Sequence, residues 1–153
     1  MHEAAAVSTI AHQIQLAVAP VFLLAGIGSF LNVMAGRLAR TVDRARDIER
    51  EFASFEAERL RLATAELYIL DKRTTLANLA ISACTAAAFF VCVLVALLFV
   101  ADLAAVGIGR PIAWLFVIAM GLLILGLLLF LGEVWLAMRA VRLRRDAMPH
   151  RRG

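Results

Sequence analysis

Three long apolar runs, uncharged apart from one glutamate, divide this chain. Ile14–Gly36 reads IQLAVAPVFLLAGIGSFLNVMAG, Leu76–Ala101 reads LANLAISACTAAAFFVCVLVALLFVA, and Pro111–Met138 reads PIAWLFVIAMGLLILGLLLFLGEVWLAM. About 20 apolar residues in helical form cross a hydrocarbon layer of roughly 30 Å, so each run predicts a transmembrane helix. Pro111 suits the first turn of its helix, where a missing N–H costs nothing. Gly107 and Gly109 mark a short connection just before it. The first run has no Lys or Arg ahead of it. Its single A-x-A, Ala17-Val18-Ala19, precedes most of the apolar stretch, the wrong order for a cleaved signal peptide.

Residues 37–75, between the first two runs, have a different pattern. They contain no proline or glycine and are rich in Arg, Glu, Ala and Leu, all strong helix formers. One unbroken helix of that length is a rod of roughly 58 Å, yet both of its ends must meet the same membrane face. The chain is therefore expected to reverse near Ala53-Ser54-Phe55, with Ser54 capping the return helix. Each arm, Arg37–Phe52 and Phe55–Arg73, is expected to continue its neighbouring span without a break. Leu38, Ala45 and Phe52 recur at heptad steps on one arm, with Ile48 beside them. Leu60, Ala63, Leu67 and Leu70 make a stripe on the other, with Phe55, Leu62 and Ile69 adjacent. These stripes predict that the arms pack on each other, bringing Ile48 near Leu62; the alternative is that part of the apolar surface docks on a second subunit or partner. Asp43, Asp47 and Glu51 form an acidic ridge, and Arg37, Arg40 and Arg44 a basic one. Like charges at i, i+4 are unfavourable on an isolated helix. Arg59 and Arg61 on the return arm are candidates to meet the acidic ridge.

The expected fold is an all-α membrane protein with three transmembrane helices and a cytoplasmic helical hairpin between the first and second. In order, the segments are an extracytoplasmic N-terminal segment (1–13), transmembrane helix 1 (14–36), the cytoplasmic αα-hairpin (37–75), transmembrane helix 2 (76–101), an outer loop (102–110), transmembrane helix 3 (111–138) and a basic cytoplasmic tail (139–153). Basic residues collect on the cytoplasmic side of membrane proteins. Here they fall in the hairpin and tail, which sets the orientation. The tail residues Arg139, Arg142, Arg144 and Arg145 are placed for contact with anionic lipid headgroups. Trp114 and Trp135, at the two ends of the third span, fit interfacial aromatic belts.

Composition agrees with this division. The 153 residues are 63% hydrophobic, well above the usual share of about half for a soluble domain. The net charge of +4 resides in the tail, while the hairpin carries nine basic against eight acidic residues. That near-neutral block is not a nucleic-acid footprint. Cys84 and Cys92 lie about 12 Å apart along one helix axis, too far for a disulfide. No metal-ligand spacing, catalytic triad pattern or phosphate-cradling glycine loop is present. Neither a cofactor nor a metal is expected, and an enzyme is not expected.

Polar residues within a span are costly unless paired. Asn32, Asn78 and Glu133 fall at a similar depth near the inner end of their spans, and Arg37 and Arg40 lie one or two turns below. Together they form a candidate polar layer. It is either structural glue, with Glu133 paired to an arginine, or an ion or proton site at the cytoplasmic mouth. Pro20, Gly26 and Gly28 are candidates for a kink and for close helix packing in the first span.

The stretch Gln15–Glu49 resembles a bacterial membrane family catalogued as domain of unknown function 2721. The resemblance is carried by Ala19-Pro20, Asn32, Arg37-Leu38-Ala39-Arg40 and Asp43-Arg44. Phe130-Leu131-Gly132-Glu133-Val134 is similar too, although Gly132 stands where the family pattern more often has a charge. The resemblance covers most of the chain. It implies a three-helix protein of a bacterial inner membrane and brings no established activity. Two function classes stand at this point. One is a non-enzymatic homo-oligomeric module whose cytoplasmic hairpin assembles with itself or docks a cytoplasmic protein. The other is a small oligomeric ion channel, since three spans are too few to enclose a pore alone. The expected partners are the lipid bilayer, anionic lipids at the tail, and further copies of the chain.

Overall fold

The computed structural model describes residues 2–52, 55–104 and 109–146, without the side chains of 2–14, 16–17, 102 and 140–146. Among these residues the protein is all-helical, with α1 at His2–Glu51, α2 at Ala57–Leu103 and α3 at Gly109–Asp146. All three are long and apolar enough to cross a membrane, which is the composition of a multi-pass membrane protein. They hold 50, 47 and 38 residues, against the roughly 20 that a span requires. The surplus of α1 and α2 forms the charged arms, and each arm continues its apolar run as one helix. The helical backbone of α1 already begins at His2, within the expected N-terminal segment, and runs through Pro20. That of α3 extends to Asp146, into the expected tail, with Pro111 in its first turn.

Buried positions recur every seven residues along each helix. They are Ile27, Met34, Thr41 and Ile48 on α1, and Ala63, Leu70, Ala77, Cys84 and Val91 on α2, where Ala80, Ala87 and Leu94 form a second row. On α3 they are Ala119, Gly126 and Glu133. Seven residues are close to two helical turns, so each row follows one face. Many of the large apolar residues elsewhere on the helices, among them Phe22, Phe89, Trp114, Leu128 and Trp135, are exposed. A soluble protein of this size rarely leaves so much apolar surface bare; lipid is the natural cover.

The chain divides into two compact units. One comprises residues 1–32 and 83–124, the other residues 33–82 and 125–153. In the first, Ile27, Cys84, Ala87, Val91, Leu94 and Ala119 are buried, and Cys84 and Cys92 are both free thiols. The second contains the paired arms and the polar residues described below.

The arms pack through a cluster of Ile48, Ala63 and Leu70, edged by Ala45, Phe55 and Leu67. The expected partner Leu62 is instead 68% exposed. The reason is register: the buried row of α2 passes through Ala63, and Leu62 lies about 100° around the helix from it. Arg59 Nη2 lies 3.9 Å from Glu51 Oε2, so Arg59 meets the end of the acidic ridge. At the reversal, the Phe55 N–H donates to the Phe52 carbonyl at 3.4 Å. The Phe52 and Phe55 rings sit 6.4 Å apart, and the Arg59 guanidinium lies 4.7 Å from the Phe55 centroid. The expected Ser54 cap lies outside the described residues.

Candidate functional site: a clamped glutamate and an arginine groove

On α1, Arg37, Arg40, Thr41 and Arg44 stand at i, i+3, i+4 and i+7, one face of a helix. On α2, Glu66, Leu70 and Arg73 stand at i, i+4 and i+7 of the facing arm. Thr41 is a polar residue at a buried seam position. Its hydroxyl donates to the Arg37 carbonyl one turn back at 3.1 Å, which satisfies the donor and allows the burial.

Glu133 is the centre of the site. It occupies the buried row of α3 and is 2% exposed. Arg73 Nε and Nη2 both donate to Glu133 Oε1, at 3.0 and 2.9 Å. Arg37 Nη2 approaches Oε2 to 3.0 Å from the other side. That contact is an ion pair without hydrogen-bond alignment, since Oε2 has no aligned donor and the buried Arg37 Nε has no acceptor. The Arg37 guanidinium also lies 5.5 Å from the Phe130 ring centroid, one turn before Glu133 on α3. One carboxylate thus links all three helices. A buried charge is costly unless it is paired and hydrogen-bonded, and the two arginines supply both.

About two helical turns further along the arms, Arg44 Nε donates to Glu66 Oε1 at 2.9 Å. This pair is far more open than the Glu133 cluster, with the two side chains 45% and 33% exposed. The hydrogen bond to Glu66 raises the Arg44 pKa, desolvation opposes it, and the fields of Glu66, Asp47 and Glu51 add to the rise. Arg37, Arg40, Thr41, Arg44, Leu70 and Arg73 line an open groove of about 290 Å³. Four of its six lining residues are arginines and none is acidic.

The structure draws Arg37 and Glu133 of the candidate polar layer together and sets Arg40 on the groove. Asn78 is exposed, as is Asn32 in the other unit. Arg73 is the partner of Glu133 that the sequence reading missed. Its signal was the second buried row of α2: Ala80, Ala87 and Leu94 step by seven, and one step back is Arg73. Gly26 and Gly28 stand in open space, where an added Cβ meets nothing within 4 Å. In the tail, Arg139 is exposed with its guanidinium 5.2 Å from the Trp135 ring centroid. The side chains of Arg142, Arg144 and Arg145 lie outside the described residues. No group of His, Cys, Asp and Glu suited to a metal ion occurs among the described residues.

A family model described as "Protein of unknown function (DUF2721)" matches residues 17–143. The chain belongs to this family. The match takes in all of the residues of the clamp and groove. No curated protein and no solved structure matches the DUF2721 chain.

Proposed function

We propose that this DUF2721 protein is a non-enzymatic module of the bacterial inner membrane. In this reading it assembles with copies of itself and presents its hairpin, on the cytoplasmic side, as a docking surface. The observation that carries the reading is the outer face of the return arm. Leu62 and Tyr68 are 68% and 61% exposed, while the inner face of the same arm is already filled by the Ile48–Ala63–Leu70 cluster. Leu62, Ala65 and Tyr68 follow one another at steps of three, so they share one side of the helix. The open faces of Gly26 and Gly28 add support, because small residues let membrane helices from different copies approach closely. The excess of basic residues in the hairpin and tail supports the cytoplasmic placement.

Glu133 favours this module over an ion pathway. Its carboxylate is engaged by two guanidinium groups, the arrangement of a fastening between helices. Single cysteines at Leu62 or Tyr68, in a chain carrying Cys84→Ala and Cys92→Ala, should form disulfides between copies in native membranes. The same positions should react with an impermeant thiol reagent only after permeabilisation. A monomer without crosslinks would defeat the assembly reading, and labelling from outside would reverse the orientation. Liposome ion flux altered by Glu133→Gln would favour the oligomeric channel instead.

A further inference from the structure

We propose that the groove between the arms is a binding site for a phosphate group, and that the headgroup of an anionic lipid is its main source. Arg37, Arg40, Arg44 and Arg73 all line the groove, with Thr41 and Leu70 between them. The carboxylates that contact these arginines are Glu133, which joins Arg37 and Arg73, and Glu66, which joins Arg44. Four guanidinium groups therefore meet two carboxylates. Arg40 is exposed and makes no ion pair or hydrogen bond among the described residues. An anion with several acceptor oxygens would meet the open donors of Arg40. Arginine suits phosphate because its planar fork donates two parallel hydrogen bonds.

Position along the chain favours a lipid source. Arg37 is the first charged residue after the apolar run of α1, and Arg73 is the last before that of α2. The two residues therefore fall at the level where helices leave the hydrocarbon and phosphates are concentrated. Glu133 fastens Arg37 and Arg73 in place, so half of the groove is preorganised before any ligand arrives. Arg40 and Arg44 complete its open side.

The test is binding to the full-length chain purified in a neutral detergent, followed by native mass spectrometry and calorimetry. The probes are phosphatidylglycerol, phosphatidylcholine and inorganic phosphate. Arg40→Gln is the informative variant, because Arg40 belongs to neither ion pair and its loss leaves the fold intact. Arg46→Gln, exposed on the same arm and outside the groove lining, is the control. Saturable binding of phosphatidylglycerol over phosphatidylcholine, weakened about fivefold by Arg40→Gln and not by Arg46→Gln, is the expected result. Inorganic phosphate that binds without lipid preference, again weakened by Arg40→Gln, would keep the phosphate site and assign it a soluble ligand. Binding of all probes that is non-saturable or unchanged in Arg40→Gln would overturn the proposal.

Discussion

The same two types of ion, guanidinium and carboxylate, meet at two very different places in this protein. At Glu133 the carboxylate is 2% exposed and is held by Arg37 and Arg73. At the hairpin tip, Glu51 and Arg59 face each other at 3.9 Å with 64% and 70% of their side chains in solvent. The contrast teaches that environment decides what a pair is worth. Water screens the tip pair and competes for its hydrogen bonds. Around Glu133 the alternative to pairing is a charge stranded among apolar helices. The tip pair sets register, and the Glu133 cluster holds elements together.

The largest expected effect comes from removing the central carboxylate. Glu133→Gln leaves two guanidinium groups without their counter-charge and should destabilise the protein by about 3–5 kcal/mol, read as a lowered midpoint of unfolding in detergent by circular dichroism. Arg73→Met should cost more than Arg37→Met, because only Arg73 makes aligned hydrogen bonds to the carboxylate. Equal losses would remove the distinction between its two aligned bonds and the misaligned Arg37 contact. Replacing all three by apolar residues should recover much of the loss, since a well-packed apolar substitute for a buried ion cluster is often neutral.

The Arg44–Glu66 pair lies between the extremes. Its coupling in a double-mutant cycle should be about 0.5 kcal/mol, the middle of the range for solvent-accessible pairs. Its dependence on pH follows from the sign of the Arg44 shift. Glu66 raises the Arg44 pKa above its ordinary value, so the stabilisation on the arginine side is complete below the unfolded value. It is lost only as pH rises through the still higher folded one. Arg44→Gln should therefore reduce stability by a constant amount between about pH 6 and 9, measured by thermal unfolding across that range. The smallest effect is at the tip: Arg59→Ala should shift stability by less than about 0.5 kcal/mol.

Much of this architecture was legible in the sequence because a bilayer imposes strict rules. Apolar runs long enough to cross it, with a single charge among them, marked the three helices, and an uninterrupted charged stretch between two of them required a reversal. The pairing of Glu133 with an arginine was one of two readings that the cost of an isolated charge left open, and Arg37 lay within reach. The exact seam of the hairpin was harder to read. Thr41 reads as polar, yet its hydroxyl is spent on the Arg37 carbonyl, so it takes a buried position between Met34 and Ile48. The expected Leu38–Ala45–Phe52 row consequently sits one step round the helix, and Leu62 turns outward. Arg73 escaped notice because it looked like the end of a charge block rather than the continuation of the buried row at Ala80, Ala87 and Leu94. The arginine groove depends on the pairing of two arms, which composition does not reveal.

The contrast between the two ion clusters is tested most directly by a double-mutant cycle on Arg73 and Glu133, using Arg73→Met and Glu133→Gln and unfolding the full-length chain in detergent. A coupling of about 2 kcal/mol, several times that of the Arg59–Glu51 cycle, is the predicted result. A coupling no larger than the tip pair's would contradict the account and reduce Glu133 to one more surface-like charge.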